Sequence, residues 1–368
     1  FIEGAWMNKH MGKYYLQYGA PGTEISGYAD GVYTSDHPLG PFTYQPHNPF
    51  SYKPGGFARG AGHGATYQDL FGNWWHVSTI VVNMKNNFER RLGIWPADFD
   101  KDGVLFANTA FGDYPQWLPS QKKDHLTQNF TGWILLNYNK PVQVSSVLGG
   151  YEANNAVDEN IRSYWSAASG KPGEWLQSDL GKISTVRAIQ INYADQDVDS
   201  SFLGKIKGIY HQYKLWQSTD GRNWKILLDK SQNKTDVPHD YIELEQPVET
   251  RFIKLENIHM PTGKFAISGL RVFGNGHGPR PDTVKNFIVL RSENDKRNAV
   301  IKWYTVNGAF AYNIYYGIAP DKLYSSIMVY GDNEYYFKAM DRNLAYYFSI
   351  EAFNENGVSA KTNIIKAE

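Results

Sequence analysis

The chain contains no cysteine. Disulfides, thiolate nucleophiles and Cys-ligated zinc are therefore excluded, but the compartment is not settled, because many secreted bacterial proteins also lack Cys. Excess charge is missing too: 37 Lys and Arg balance 37 Asp and Glu among 368 residues. Nucleic acids and anionic membrane surfaces reward a basic excess, so neither is expected as a partner. No apolar run approaches the roughly 18 residues of a membrane span. The opening run FIEGAWMNKHMGKYYLQY has no initiator Met, no cationic segment and no apolar signal-peptide stretch, so Phe1 is expected to begin in the middle of something.

Aromatic residues are abundant. The 26 Tyr, 19 Phe and 11 Trp stand beside 34 Gly, a mixture that suits short twisted strands joined by tight turns, and flat aromatic faces also suit sugar rings. The length allows two to four domains. From residue 1 to 115, short strands such as GKYYLQYG, NWWHVSTIVV and RRLGIWPADF alternate with Gly, Pro and Asp turns and show no lasting helical period, which fits propeller blades. Residues 116–131 read as a linker or strap. Residues 132–276 alternate apolar and polar positions in WLQSDLG, TVRAIQINYA and RFIKLENI and predict a β-sandwich. GNGHGPRPD then reads as a linker into a last all-β unit, 277–368. The whole chain is predicted to be nearly all β.

Several motif matches fail on inspection. DFDKDG has EF-hand spacing, but Thr109 stands where a bidentate Glu belongs, so a plain hairpin turn is expected. GGFARGAGHG lacks the Lys-Ser/Thr ending of a phosphate loop, and the ten His include no HExxH pair. Asn129 and Asn233 open glycosylation sequons of a kind that arises by chance. Asp30, Asp36 and Asp69 lie in ADG, SDHP and similar contexts that read as ordinary loop acids.

The stretches EGAWMNKHMGKYYLQYGAPGTE, SDHPLGPFTY, GAGHGATYQDLFGNWWHV and GIWPADFDKDGV resemble, in this order, the later blades of family 43 glycoside hydrolases, which are five-bladed propellers. The resemblance implies that Glu3 of the EG motif is the general acid, with Ala5 where a Pro is common. It implies that His63 lies near a central ion, commonly calcium, usually through water. It further implies that Trp6 and one of Arg90 and Arg91 face the sugar; neighbours on a strand point to opposite faces, so only one arginine can do so. An acid donor is favoured by apolar neighbours, and Trp6 and Met7 flank Glu3. The family's catalytic base and its second, modulating Asp come from the first two blades, so this chain is expected to hold the acid without the base and to need the N-terminal part of the same propeller.

The middle unit, with NAVDENIRSYWSA, GEWLQSDLG, YKLWQSTDGRNW and FIKLENI, resembles discoidin, or coagulation factor 5/8 type C, domains. That resemblance implies a structural calcium loop using Asp158 and Ser163, although Gly269 replaces the usual acidic residue near the last strand. It implies core roles for Trp165, Trp175, Trp216 and Trp224, and leaves DQDVDSSFLGKIKGIYHQY as a place for a ligand loop. The last unit resembles a fibronectin type III domain, with Trp303 inward and Tyr346 bonding backbone upstream. Together the resemblances imply an inverting hydrolase of arabinose-, xylose- or galactose-containing plant-type glycans. It would act on an oligosaccharide or polysaccharide, use no organic cofactor and be secreted, periplasmic or at a bacterial cell surface. The competing class is a non-catalytic carbohydrate-binding or adhesion protein.

Overall fold

The computed structural model describes all residues except 24, 26, 84–88, 125–131, 200, 202–207, 339 and 368. Among the described residues the chain is β throughout, apart from one 3-10 turn at Ala153–Ala156. The first sheet comprises β1 (Glu3–His10), β2 (Lys13–Ala20), β3 (Ala29–Ser35) and β4 (Thr43–Tyr44). The second comprises β5 (Arg59–Gln68), β6 (Trp74–Val81), β7 (Arg90–Phe99) and β8 (Leu105–Ala107). Each is antiparallel with neighbours in chain order, in a propeller-like arrangement. Strand alternation explains their packing, because Tyr15 and Val32 on the inner face of the first sheet share one core with Ala61, Trp74 and Trp95 of the second. DFDKDG is the predicted hairpin turn: the Gly103 N–H donates to Asp100 O at 2.9 Å.

The opposite face of the first sheet carries the cross-strand row Met7–Leu16–Tyr33–Tyr44. Three of its members are exposed: Met7, Tyr33 and Tyr44. An apolar and aromatic row of that kind is one that a further sheet can cover.

The central sandwich holds β9 (Ile134–Leu135), β10 (Val142–Val144), β11 (Trp165–Ser166), β12 (Trp175–Tyr193), β13 (Gln212–Ser218), β14 (Lys225–Asp229), β15 (His239–His259) and β16 (Ala266–Asn275). The long β12 and β15 pair along most of their lengths, with register shifts between Asp179 and Ser184 and between Val186 and Ala188, where the ladder bends. Of the four tryptophans expected in the core, Trp165 alone is fully buried. Trp175, Trp216 and Trp224 are half-exposed, because the pairing sets Trp175 beside Glu256 and Trp216 beside Lys254 on the outward face. Long charged side chains cover them: the Trp216 indole donates to Glu256 Oε2 at 2.7 Å, and Lys254 Nζ lies 4.3 Å from the Trp224 ring centroid.

The last unit is a two-sheet sandwich. β17 (Ile288–Arg291), β18 (Ala299–Lys302) and β21 (Glu334–Phe337) face β19 (Ala311–Gly317), β20 (Ser325–Tyr330), β22 (Tyr347–Asn354), β23 (Gly357–Val358) and β24 (Ile365–Lys366). Trp303 is buried as predicted, and the Asp341 N–H donates to the Tyr346 hydroxyl at 2.8 Å, which is the upstream backbone bond expected there.

The units interlock around one buried guanidinium. Arg271 on β16 donates to both Glu159 oxygens at 2.9 and 2.8 Å and to Asp113 O at 2.6 Å. Asp113 pairs in turn with Lys53 at 2.9 Å, while the Tyr330 hydroxyl donates to Glu159 at 3.2 Å. Burial alone would push the Asp113 carboxyl up, but Lys53 and Arg271 outweigh it and hold it below the usual range. A Cβ at position 269 would lie 2.7 Å from the Phe57 ring. Gly269 therefore lets the blade approach β16. The strap adds a contact at the other side, where the Lys123 N–H donates to Asn73 Oδ1 at 2.7 Å and Asn73 Nδ2 donates to Gln121 O at 3.1 Å. Its residues 125–131 lie outside the described residues.

His211 gives the central sandwich a pH dependence. Its buried ring stacks on Tyr193 at 3.9 Å, its Nδ1 has no hydrogen-bond partner among the described residues, and burial, aided by the nearby His239 and His259, lowers its pKa from 6.5 to about 3. The folded state resists the proton that the unfolded chain accepts, so stability is complete above 6.5 and falls as pH drops toward 3. At 1.36 kcal/mol per pH unit, about 2 kcal/mol should be lost by pH 5. Urea unfolding across that range checks this, and His211→Phe, which keeps the stacking, should flatten the slope.

Candidate active site

Glu3 opens β1, and His63 sits in β5 of the adjacent sheet. One carboxylate oxygen of Glu3 accepts from the Tyr28 hydroxyl at 2.7 Å, and the other lies 3.4 Å from His63 Nδ1. The Glu3 side chain is 29% exposed and that of His63 49%, so the pair is seated against the protein yet open on one side. Burial, and then the bond to Glu3, push the Tyr28 hydroxyl well up, so it remains a proton donor.

The backbone here is shaped for this meeting. Gly4 has φ +66°, and a Cβ there would lie 2.7 Å from the His63 ring. His63 itself has φ +56°, which turns its ring toward Glu3. At Gly64 a Cβ would lie 2.4 Å from both Asp30 Oδ2 and His76 Nε2, so the strand passes directly over that buried pair.

Asp30 is not a loop acid. It lies in β3, 1% exposed, with Oδ2 2.8 Å from His76 Nε2. A chain of bonds fixes the proton on this histidine. The Trp6 indole can only donate, and it donates to Asn8 Oδ1 at 3.1 Å and to Thr66 O at 2.9 Å. Asn8 Oδ1 also accepts from Gln17 Nε2, so Gln17 Oε1 is left to accept the Thr66 hydroxyl at 2.8 Å. The Thr66 oxygen must then accept from His76 Nδ1 at 2.9 Å. Nε2 and the Asp30 carboxylate therefore share a further proton. This network ties the two sheets together beneath Glu3 and His63, and it fixes Trp6 at their seam.

Arg90 and Arg91 diverge as alternation requires. Arg91 is exposed and pairs with Glu89 at 3.3 Å, whereas Arg90 stands within electrostatic reach of Tyr28. In the central sandwich, Asp158 accepts from the Ser163 hydroxyl at 2.5 Å and from the Asn160 N–H at 2.9 Å. Burial pushes its carboxyl up. That arrangement does not suit a calcium cradle, because a hard cation needs six to eight oxygens and the carboxylate in reach is already engaged. The neighbouring Glu159 is held by Arg271. Among the described residues no three His, Asp or Glu side chains converge as metal ligands, so an ion near His63 would keep most of its shell as water.

Sequence reasoning missed Tyr28, the Asp30–His76 pair and the Arg271 cluster. One signal was available for the last: an Arg inside the otherwise apolar run GLRVFG has to find a buried anion.

Comparison with known proteins divides the chain. Residues 1–105 match the family model for Glycosyl hydrolases family 43, and residues 141–272 match that for the F5/8 type C domain. The chain is thus similar to family 43 glycosyl hydrolases over its first 105 residues and to the F5/8 type C domain over residues 141–272. Two curated relatives are each 49% identical over 45 residues: a xylosidase/arabinosidase of Bacteroides ovatus and a β-xylosidase of Xylanibacter ruminicola. Each match covers 12% of this chain and spans only 13% of the relative's length. A solved glycoside hydrolase aligns over 74% of this chain and 60% of its own at 18% identity, with a TM-score of 0.40. A chitosan-binding module from a chitosanase/glucanase of Paenibacillus sp. IK-5 aligns over 38% of this chain and 99% of its own at 21% identity, with a TM-score of 0.31.

Proposed function

We propose that this chain is the later part of an inverting glycosidase acting on arabinose-, xylose- or galactose-containing plant-type glycans, in the manner of an arabinofuranosidase or xylosidase. The observation that carries the reading is the seating of Glu3: an open carboxyl, held by Tyr28 on one oxygen and facing His63 with the other, inside the segment that matches family 43. Glu3 protonates the departing glycosidic oxygen. Tyr28 fixes its rotamer, and Arg90 faces the sugar beside it. Trp6 stands at the seam between the blades, where its half-exposed ring flanks the substrate.

Inversion also needs a carboxylate base about 6.5–9.5 Å from the acid, across the sugar. Asp30 does not serve, because it is buried and shares its proton with His76. Further blades of the same propeller, N-terminal in sequence, pack on the Met7–Leu16–Tyr33–Tyr44 face and bring that base together with a modulating Asp. His63 would hold a central ion, commonly calcium, through water, and that ion would supply positive charge beside the catalytic carboxylates. Residues 1–115 form the propeller portion, 116–131 the strap, 132–276 the discoidin-like sandwich and 277–368 a fibronectin type III-like spacer. Among the described residues no helix is long and apolar enough to cross a membrane, and a glycan substrate fits a secreted, periplasmic or cell-surface protein.

Proton NMR of the first product formed from an aryl arabinofuranoside or xyloside by the assembled propeller tests this. The anomer of inverted configuration is expected, and a retained anomer would refute the two-carboxylate assignment.

A further inference from the structure

Val82 and Asn83, just after β6, and the central sandwich line a cavity of about 170 Å³. Val82 and Asn83 line it from the blade, and Arg162, Tyr164, Asp195 and Ser268 line it from the sandwich. That volume is below the roughly 300 Å³ at which pockets for drug-sized ligands begin, so it suits one small ring.

Its place in the fold follows from strand register. Arg59 at the start of β5 pairs with Val81 at the end of β6, and Val81 pairs with Arg90. Arg90 is the arginine within electrostatic reach of Tyr28, whose hydroxyl donates to Glu3. Val82 and Asn83 therefore continue from the end of the blade that carries the candidate active site. Thr79, whose hydroxyl donates to Gly62 O beside His63 at 2.6 Å, is four residues from Asn83, or about 13 Å of strand at 3.3 Å per residue. That is the reach of a short oligosaccharide.

The junction is built rather than incidental. Asn192 of the sandwich donates to Val82 O at 3.1 Å, Asn83 bonds both Glu89 and Asp195, and His239 lies 2.9 Å from Glu89. The lining matches a hydroxylated ring. The Tyr164 ring is stacked on Tyr151 at 4.7 Å and tied through its hydroxyl to Gln196 at 2.6 Å, so it presents a fixed aromatic edge. Arg162 is exposed, and among the described residues its guanidinium makes no ion pair or hydrogen bond. Arg59 makes no side-chain bond among the described residues either, and it lies near enough that burial, and then Arg162, lower its pKa. The Arg162 guanidinium, without a protein acceptor among the described residues and lining the cavity with Asp195 and Ser268, can bind the oxygens of a neutral sugar.

We infer that this cavity is a distal sugar subsite shared by the two units, so that the F5/8 type C domain selects the length of the oligosaccharide presented to Glu3. The inference rests on the glycosidase reading above.

Isothermal titration of the full chain with xylo-, arabino- and galacto-oligosaccharides of two to six residues tests it. Affinity should rise with length in one of the three series, and Arg162→Ala should weaken the longest ligand about tenfold, the value of one charge-assisted hydrogen bond. In the assembled enzyme, Arg162→Ala should lower kcat/KM for the hexasaccharide and leave that for an aryl monosaccharide unchanged. Equal affinities of wild type and Arg162→Ala, or no binding in any series, would overturn the subsite. An assembled enzyme that hydrolyses nothing would overturn the glycosidase reading instead, and the titration would still decide the cavity.

Discussion

Replacing Glu3 by Gln in the assembled enzyme should cut turnover of substrates with poor leaving groups by about 10²–10⁴-fold, and that of aryl glycosides with acidic leaving groups far less. A proton in the transition state matters only where the departing oxygen cannot carry its own negative charge. Gln keeps the hydrogen bond from Tyr28 and the contact with His63, so the pocket retains its shape while the transferable proton is lost. Rate measurements on a series of aryl leaving groups check this through the slope of rate against leaving-group pKa, which should steepen in the variant. An equal loss for every leaving group would mean that Glu3 positions substrate rather than protonating it.

Arg271→Met should cost about 3–5 kcal/mol of stability, the usual penalty for removing one partner of a buried ion pair. Glu159 and Asp113 would be left as buried acids deprived of their shared cation, at the point where all three units meet. Most of that penalty belongs to the stranded carboxylates. The double variant Arg271→Met with Glu159→Gln should therefore be less destabilised than Arg271→Met alone, a coupling that a double-mutant cycle in urea measures. Because the cluster joins the blades to both sandwiches, limited proteolysis of Arg271→Met should release the sandwiches as separate fragments, while the wild type resists cleavage between them.

Much of the architecture was legible in the sequence. Period-two alternation and Gly-, Pro- and Asp-rich turns predicted an all-β chain of blades and sandwiches, and local spacing placed Trp303 and Tyr346 correctly. The EG and AGHG motifs singled out Glu3 and His63 separately, and the 3.4 Å contact between them is a finding of the structure. Contacts between residues distant in sequence were not legible. Asp30 sits in an ADG triplet that reads as a turn, yet its partner His76 is 46 residues away on another sheet. Arg271 and Glu159 are 112 residues apart. The three half-exposed tryptophans were misread because the alternation that defines a sheet face does not say which face the charged residues of a neighbouring strand will cover. Gly269 read as a missing metal ligand, whereas its local role is steric: Phe57 of the blade occupies the space that a Cβ would fill.

The proposed pairing of Glu3 with a base supplied by further propeller blades is tested most directly by complementation. Hydrolysis of aryl arabinosides, xylosides and galactosides should be measured for the purified chain alone, and again after co-expression with the N-terminal blades as a separate polypeptide. No activity is expected from the chain alone, with recovery on complementation and loss of that recovery in Glu3→Gln. Robust hydrolysis by the chain alone, insensitive to Glu3→Gln and abolished by replacing another acid among residues 1–115, would contradict it.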